Sequence, residues 1–191
     1  GIYISKIVLV DTSGCQVTIV GIDAIKVDGV TANFTNTSAT LCDAGSVTFT
    51  ANAVSNDLIT SYFWNFGDGT TSTLQNPVHL YNTSGAYSTR LVVTTQNGCT
   101  DSTTTAANVK IISSPQINIS GAPGACIPAT LNFAGLIMVP DTSALSWNWS
   151  FGNGNVSTLQ NTLPQIYPVA GSYTVKVIAT NTTGCRDTAT K

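Results

Sequence analysis

Apolar and polar residues alternate strictly through Val47-Thr48-Phe49-Thr50-Ala51, which is the two-residue period of a strand with one buried face. Ser61 to Phe66 predicts a second strand, in which Trp64 and Phe66 stand two apart and share a face, and Gly67-Asp68-Gly69 turns the chain after it. A third runs from Ala86 to Thr95, with Leu91 and Val93 facing one way, and Thr103 to Ile112 closes the set. Segments rich in Asn, Ser, Thr and Gly separate these runs. The pattern predicts an all-β chain with the turn spacing of a sandwich.

A repeat sets the organisation. Tyr62-Phe63-Trp64-Asn65-Phe66-Gly67-Asp68-Gly69 recurs as Trp147-Asn148-Trp149-Ser150-Phe151-Gly152-Asn153-Gly154, and Ser72-Thr73-Leu74-Gln75-Asn76 recurs identically from Ser157 to Asn161. Tyr81, Gly85 and Tyr87 then match Tyr167, Gly171 and Tyr173, and Asn97-Gly98-Cys99 matches Thr183-Gly184-Cys185. The offset drifts from 84 to 86 residues. At the N-terminal end, Gly1-Ile2-Tyr3 falls on Gly85-Ala86-Tyr87 and Ser13-Gly14-Cys15 on Asn97-Gly98-Cys99. Three divisions follow: residues 1–27 as the last strands of a preceding repeat, 28–112 as a complete repeat, and 113–191 as a repeat lacking the strand that Val109-Lys110-Ile111 forms. The expectation is a piece of a longer polypeptide. Residues 1–27 would be completed by upstream chain or, as a rarer arrangement, by strand donation between subunits.

Composition sharpens this picture. The chain contains no Glu, only 8% of its 191 residues are charged, and its formal net charge is −2. Seven basic residues scattered singly argue against a nucleic-acid partner. No apolar run approaches the roughly 18 residues of a membrane-spanning helix. A hydrophobic fraction of 42% is enough for packed cores, so a disordered stalk is excluded.

Trp64-Asn65-Phe66-Gly67-Asp68-Gly69, Asn76-Pro77, His79-Leu80-Tyr81 and Gly85-Ala86-Tyr87 follow one another in the order of the PKD (polycystic kidney disease) domain hallmark, and the chain resembles that family throughout. The third repeat departs from it: Asn153 replaces the Asp, and Leu163-Pro164-Gln165 replaces Pro-x-His. The resemblance implies tandem immunoglobulin-like β-sandwiches with an extracellular spacer or adhesion role. Trp64, Phe66, Tyr81 and Tyr87, with Trp149, Phe151, Tyr167 and Tyr173, are then core or turn residues, and Asp68 caps a turn. The Gly-Cys-x-Asp ending is similar to repeats of large Bacteroidota surface proteins, which include adhesins exported by the type nine system.

One cysteine precedes the first core strand of each full repeat, and another follows the Gly-x-Tyr strand, 57 and 59 residues later. The expected disulfides are Cys42–Cys99 and Cys126–Cys185, with Cys15 paired to an upstream cysteine. Each bond would add about 2–4 kcal/mol and would place the protein outside the cytosol. The cysteines are too widely spaced for a zinc site. Asn-x-Ser/Thr sequons at Asn33, Asn36, Asn82 and Asn181 are frequent enough to arise by chance in so Asn- and Thr-rich a chain. Asp101-Ser102-Thr103 and Asp187-Thr188-Ala189 resemble the Bacteroidota O-glycosylation acceptor, which makes Ser102 and Thr188 candidate sites; the alternative is an ordinary polar turn.

Catalytic chemistry has few candidates. His79 is the single histidine, and Gln165 stands at its place in the third repeat. No Ser–His–Asp order, metalloprotease motif or phosphate loop is present. Calcium at Asp68 would need more carboxylates than one turn supplies. No cofactor, metal or catalytic residue is expected. The leading function is a non-enzymatic structural or adhesive array of a large surface protein, partnered by its neighbouring repeats and by surface polysaccharide or protein. Accessory domains of a secreted hydrolase and a strand-exchanged filament are the alternatives. An exposed aromatic strip would favour the hydrolase, with Trp147 as the candidate; its spacing from Trp149 favours core packing.

Overall fold

The computed structural model describes residues 2–10, 16–26, 29–37, 40–139 and 144–191. The regular structure of these residues is β throughout, and no helix is long and apolar enough to cross a membrane. Two compact units are present. The first takes in residues 1–39, 46–81 and 86–110, and the second takes in 40–45, 82–85 and 111–191.

Strands β1 (Ile2–Val10) and β2 (Gln16–Lys26) form an antiparallel pair, from Val10 opposite Gln16 to Ile2 opposite Lys26, with a register shift between Ile4 and Lys6. Ten strands follow: β3 (Val30–Thr31), β4 (Phe34–Asn36), β5 (Thr40–Cys42), β6 (Gly45–Ala51), β7 (Val54–Ser55), β8 (Ile59–Asn65), β9 (Thr71–Ser72), β10 (Val78–Tyr81), β11 (Gly85–Thr95) and β12 (Thr100–Ile112). They form a three-stranded sheet in the order β10-β6-β4, a five-stranded sheet in the order β5-β12-β11-β8-β9, and the small pair β3-β7.

The four strands expected from periodicity are β6, β8, β11 and β12. Val47 and Phe49 of β6 and Leu91 and Val93 of β11 are fully buried, as the alternation requires. The three-stranded sheet supplies Phe49, and the five-stranded sheet supplies Trp64. Their ring centroids lie 5.5 Å apart, so the two inner faces meet in one core. Phe34 packs edge-on against Trp64 at 5.2 Å. Each such side chain contributes about 1.5–3 kcal/mol by leaving water. The two-residue strands are too short to show a period, so the sequence pattern does not reveal them.

The second unit continues with β13 (Ile117–Ser120), β14 (Ala129–Leu131), β15 (Ala134–Ile137), β16 (Ser146–Ser150), β17 (Val156–Ser157), β18 (Gln165–Tyr167), β19 (Lys176–Thr180) and β20 (Arg186–Thr190). Its sheets run β17-β16-β19-β20, β13-β15 and β14-β18. The core repeats the first design: Trp149 and Phe151 are fully buried and stack at 5.6 Å, with Phe133, Tyr167 and Val177 among their buried neighbours.

Candidate functional site

The repeated Ser-Thr-Leu-Gln-Asn segment has a structural role. Trp64 Nε1 donates to the Leu74 carbonyl at 2.9 Å, and Trp149 Nε1 donates to the Leu159 carbonyl at the same distance. Each buried indole therefore finds its one acceptor in this loop. The loop shapes itself through Ser72 and Ser157, whose hydroxyls accept from the amides of Leu74 and Leu159. The tyrosines are matched in the same way. Tyr81 donates its hydroxyl proton to the Phe66 carbonyl, and Tyr167 donates to the Phe151 carbonyl, both at 3.0 Å. Burial raises both phenols above their ordinary range. Tyr87 packs on Tyr81 and Tyr173 on Tyr167, each pair with centroids 4.6 Å apart.

The Gly-Asp-Gly turn holds the chain's one histidine–carboxylate pair. Asp68 Oδ1 accepts from the Thr70 amide at 3.0 Å and from its hydroxyl at 2.6 Å, while Asp68 Oδ2 lies 2.7 Å from His79 Nε2. Burial disfavours the charged form of Asp68. The hydrogen bonds from Thr70 and His79 outweigh that, and the carboxyl is held below the usual range. The His79 ring stacks flat on Phe66 at 4.1 Å.

Thr70, His79 and Asp68 have the residue types of a nucleophile–base–acid triad, but their geometry is different. Thr70 Oγ1, at 3.2 Å, and Asp68 both address the same ring nitrogen, Nε2. A relay needs the nucleophile on one ring nitrogen and the orienting carboxylate on the other. The third repeat carries different side chains at these positions. Asn153, Asn155 and Gln165 occupy the three positions; Asn153 Oδ1 accepts from the Asn155 amide, and Asn155 Nδ2 donates to Gln165 Oε1, both at 3.0 Å. The Asp and the His are both replaced by amides, the turn's amide bond and the link from residue 155 to residue 165 are kept, and Asn153 Nδ2 donates to the Ile166 carbonyl at 3.1 Å. Among the described residues no group of three or more His, Cys, Asp or Glu could hold a metal ion.

Trp147 is buried beside Trp149, as its spacing implied, so it offers no exposed aromatic platform. Asp101 and Asp187, the acidic residues of the Gly-Cys-x-Asp ending, act on the backbone: Asp101 Oδ2 accepts from the Ala32 amide at 2.8 Å, and Asp187 Oδ2 accepts from the Ile117 amide at 2.9 Å. The amides of Ala32 and Ser102 hold the Asp101 carboxyl below its ordinary range. The repeat of Cys-x-Asp in the sequence was the available signal for this role, which residue types alone did not reveal. Ser102 and Thr188 are exposed, and they sit in β12 and β20, not in the polar turn expected as the alternative to an acceptor site. Asn181 is buried, and its Oδ1 accepts from the amides of Thr183 and Cys185, so that sequon is committed to shaping a turn.

The cysteines correct the expected pairing. Cys42 is bonded to Cys185, 143 residues away, in place of Cys42–Cys99 and Cys126–Cys185. Cys126 is an exposed thiol, and Cys15 lies outside the described residues. Both bonded cysteines belong to the second unit, which includes residues 40–45. The surroundings of the bond explain the choice. Asp43, next to Cys42, donates its amide to the Ile112 carbonyl at 2.8 Å, and its carboxylate accepts from the Ser114 amide and hydroxyl, each at 2.7 Å. Those Ser114 bonds hold the Asp43 carboxyl below its ordinary range. Asn181 Nδ2 donates to the Ser113 carbonyl at 3.4 Å from the turn that carries Cys185. Segment 112–114 thus brings the two cysteines together, a relation that spacing within one repeat does not encode.

Comparison with known proteins bears on the whole chain. The PKD domain family matches residues 31–111 and again 112–191. Collagenase ColA of Bacillus cereus is 37% identical over 86 residues, which is 45% of this chain and 9% of the collagenase. The microbial collagenase of Vibrio alginolyticus is 47% identical over 49 residues, 26% of this chain and 6% of that protein. The chain therefore spans under a tenth of the length of these curated relatives. Among solved structures, the PKD1 domain of the Vibrio cholerae metalloprotease PrtV is 32% identical with a TM-score of 0.39, covering 44% of this chain and 98% of that domain. PKD domains are a non-catalytic kind of module, and no catalytic family is found. Two consecutive matches spanning residues 31 to 191 show that the chain belongs to the PKD domain family.

Proposed function

We propose that this chain is a non-catalytic, extracellular structural segment, in which PKD sandwiches in tandem space or present other parts of a larger protein. The observation that carries this reading is the replacement of Asp68, Thr70 and His79 by Asn153, Asn155 and Gln165, with the turn's amide bond and the link from residue 70 to residue 79 kept at the matching positions. A repeat kept for its chemistry would not exchange each titratable group for an amide. The disulfide supports an oxidising compartment. The parent protein is read as a large cell-surface adhesin or filament that contacts surface polysaccharide or protein, with O-glycans at the exposed Ser102 and Thr188.

A second reading rests on the collagenase relatives: the same domains would be accessory spacers of a secreted protease. The burial of Trp147 favours a spacer over a substrate-holding platform in that setting. The test is an antibody against this segment, applied to denaturing gels of cell-surface and medium fractions. A very large cell-attached band supports the surface array. A freely secreted band that co-migrates with proteolytic activity supports the accessory reading and removes the adhesin.

A further inference from the structure

The bond between Cys42 and Cys185 divides the chain by connectivity, not by sandwich. Cys42 is the last residue of β5, and Cys185 directly precedes β20, so the bond closes a covalent loop that contains β6 through β19. The buried aromatics Trp64, Phe66, Trp149 and Phe151 all lie inside that loop. Outside it are β1 to β4 with the start of β5 on one side, and β20 on the other. Between the two half-cystines the polypeptide therefore has two covalent routes: one is a single S–S bond, and the other runs through 143 residues.

Tension along a chain with two routes is carried by the one that becomes taut first. Here that is the S–S bond, and the long route stays slack for as long as the bond holds. The difference matters because a folded sandwich is only marginally stable, whereas the short route is covalent. The points where load enters and leaves are braced. Asp43, next to Cys42, accepts from the amide and the hydroxyl of Ser114, each at 2.7 Å. Cys185 is buried, and its amide donates to Asn181 Oδ1 at 2.9 Å, while Asn181 Nδ2 donates to the Ser113 carbonyl at 3.4 Å. Residues 113 and 114 thus steady both ends of the bond.

We propose that Cys42–Cys185 is a force bypass, which limits the length of this segment under tension and removes residues 43–184 from the load. The inference rests on the structural reading above for the source of the load, and it is the same for an adhesin and for the spacer of a protease.

The test holds the 191-residue chain by its two ends in an optical trap. At about 3.3–3.6 Å per extended residue, residues 1–41 and 186–191 allow the oxidised chain to lengthen to about 160 Å, whereas the chain in a phosphine reductant reaches about 660 Å. Cys42→Ser is expected to match the reduced chain without any reductant. Its fully stretched length does not depend on how well it folds, so this variant reports even if it folds poorly. An oxidised chain that reaches the reduced length, or whose tether parts, at the load that opens the reduced chain overturns the bypass. A reduced chain no longer than the oxidised one also overturns it. The gel fractions that test the structural reading are unaffected by either result, so the two can fail separately.

Discussion

The two glycines of the Gly67-Asp68-Gly69 turn separate a structural turn from a ligand-binding one. Both hold positive φ, +85° at Gly67 and +91° at Gly69, so alanine at either carries a left-handed penalty of about 1–2 kcal/mol. Their surroundings differ. A Cβ on Gly67 would sit 2.6 Å from the Ser88 carbonyl oxygen and 3.0 Å from its amide nitrogen, whereas a Cβ on Gly69 meets nothing within 4 Å. Ser88 lies in β11 two residues before its pairing with β8 begins at Arg90, and the atoms a Cβ would meet are main chain, so the strand itself would have to shift. Overpacking adds about 1–3 kcal/mol. Gly67→Ala is therefore expected to cost about 2–5 kcal/mol and Gly69→Ala about 1–2 kcal/mol, combining those two ranges. Urea unfolding followed by circular dichroism measures both. Equal costs, or a larger cost at Gly69, would show that the close approach of β11 is not what requires the first glycine.

Three further outcomes follow from the same contacts. Tyr81→Phe and Tyr167→Phe each leave a buried carbonyl, Phe66 or Phe151, without its donor; each is expected to lose about 1–3 kcal/mol in urea unfolding, and a loss near zero at both would remove the tyrosine hydroxyls from the stability account. Asp68 has a lowered carboxyl pKa in the fold, so its contribution is fully present above the ordinary carboxylate range near pH 4 and is lost as pH falls through the folded value. Asp68→Asn is expected to flatten the urea-midpoint decline between pH 5 and pH 2 relative to the parent, and identical pH profiles would contradict the sign. Reducing Cys42–Cys185 opens a loop of 143 residues; chain entropy gives an upper figure of about 5 kcal/mol, so the melting temperature should fall on adding a phosphine reductant, and an unchanged melt would show that the bond constrains nothing.

The parts of the fold legible in the sequence were those where burial imposes a period. Val47 and Phe49, Trp64 and Phe66, and Leu91 and Val93 announced their faces because one side of each strand is dry. The strands β3, β7, β9 and β17, two residues each, carry no period to read. The turn was legible in part: Asp68 caps Thr70 as Asp does in such turns, but the stacking of His79 on Phe66 and its contact with Asp68 depend on the approach of β10. Repeat spacing alone does not determine the cysteine pairing. Cys42–Cys99 and Cys42–Cys185 use the same repeat positions, and only the hydrogen bonding of segment 112–114 to Asp43 and Asn181 distinguishes them. Asp101 and Asp187 looked like modification-motif residues, and their bonds to the amides of Ala32 and Ile117 became visible only in three dimensions.

The most direct test of a structural array linked from one PKD repeat to the next is the identity of the peptide bonded to Cys42. A non-reducing tryptic map of this chain should give residues 27–90 linked to residues 177–186, separable on reduction, as the Cys42–Cys185 bond requires. Residues 27–90 linked instead to residues 91–110 would restore pairing within the repeat and contradict the account.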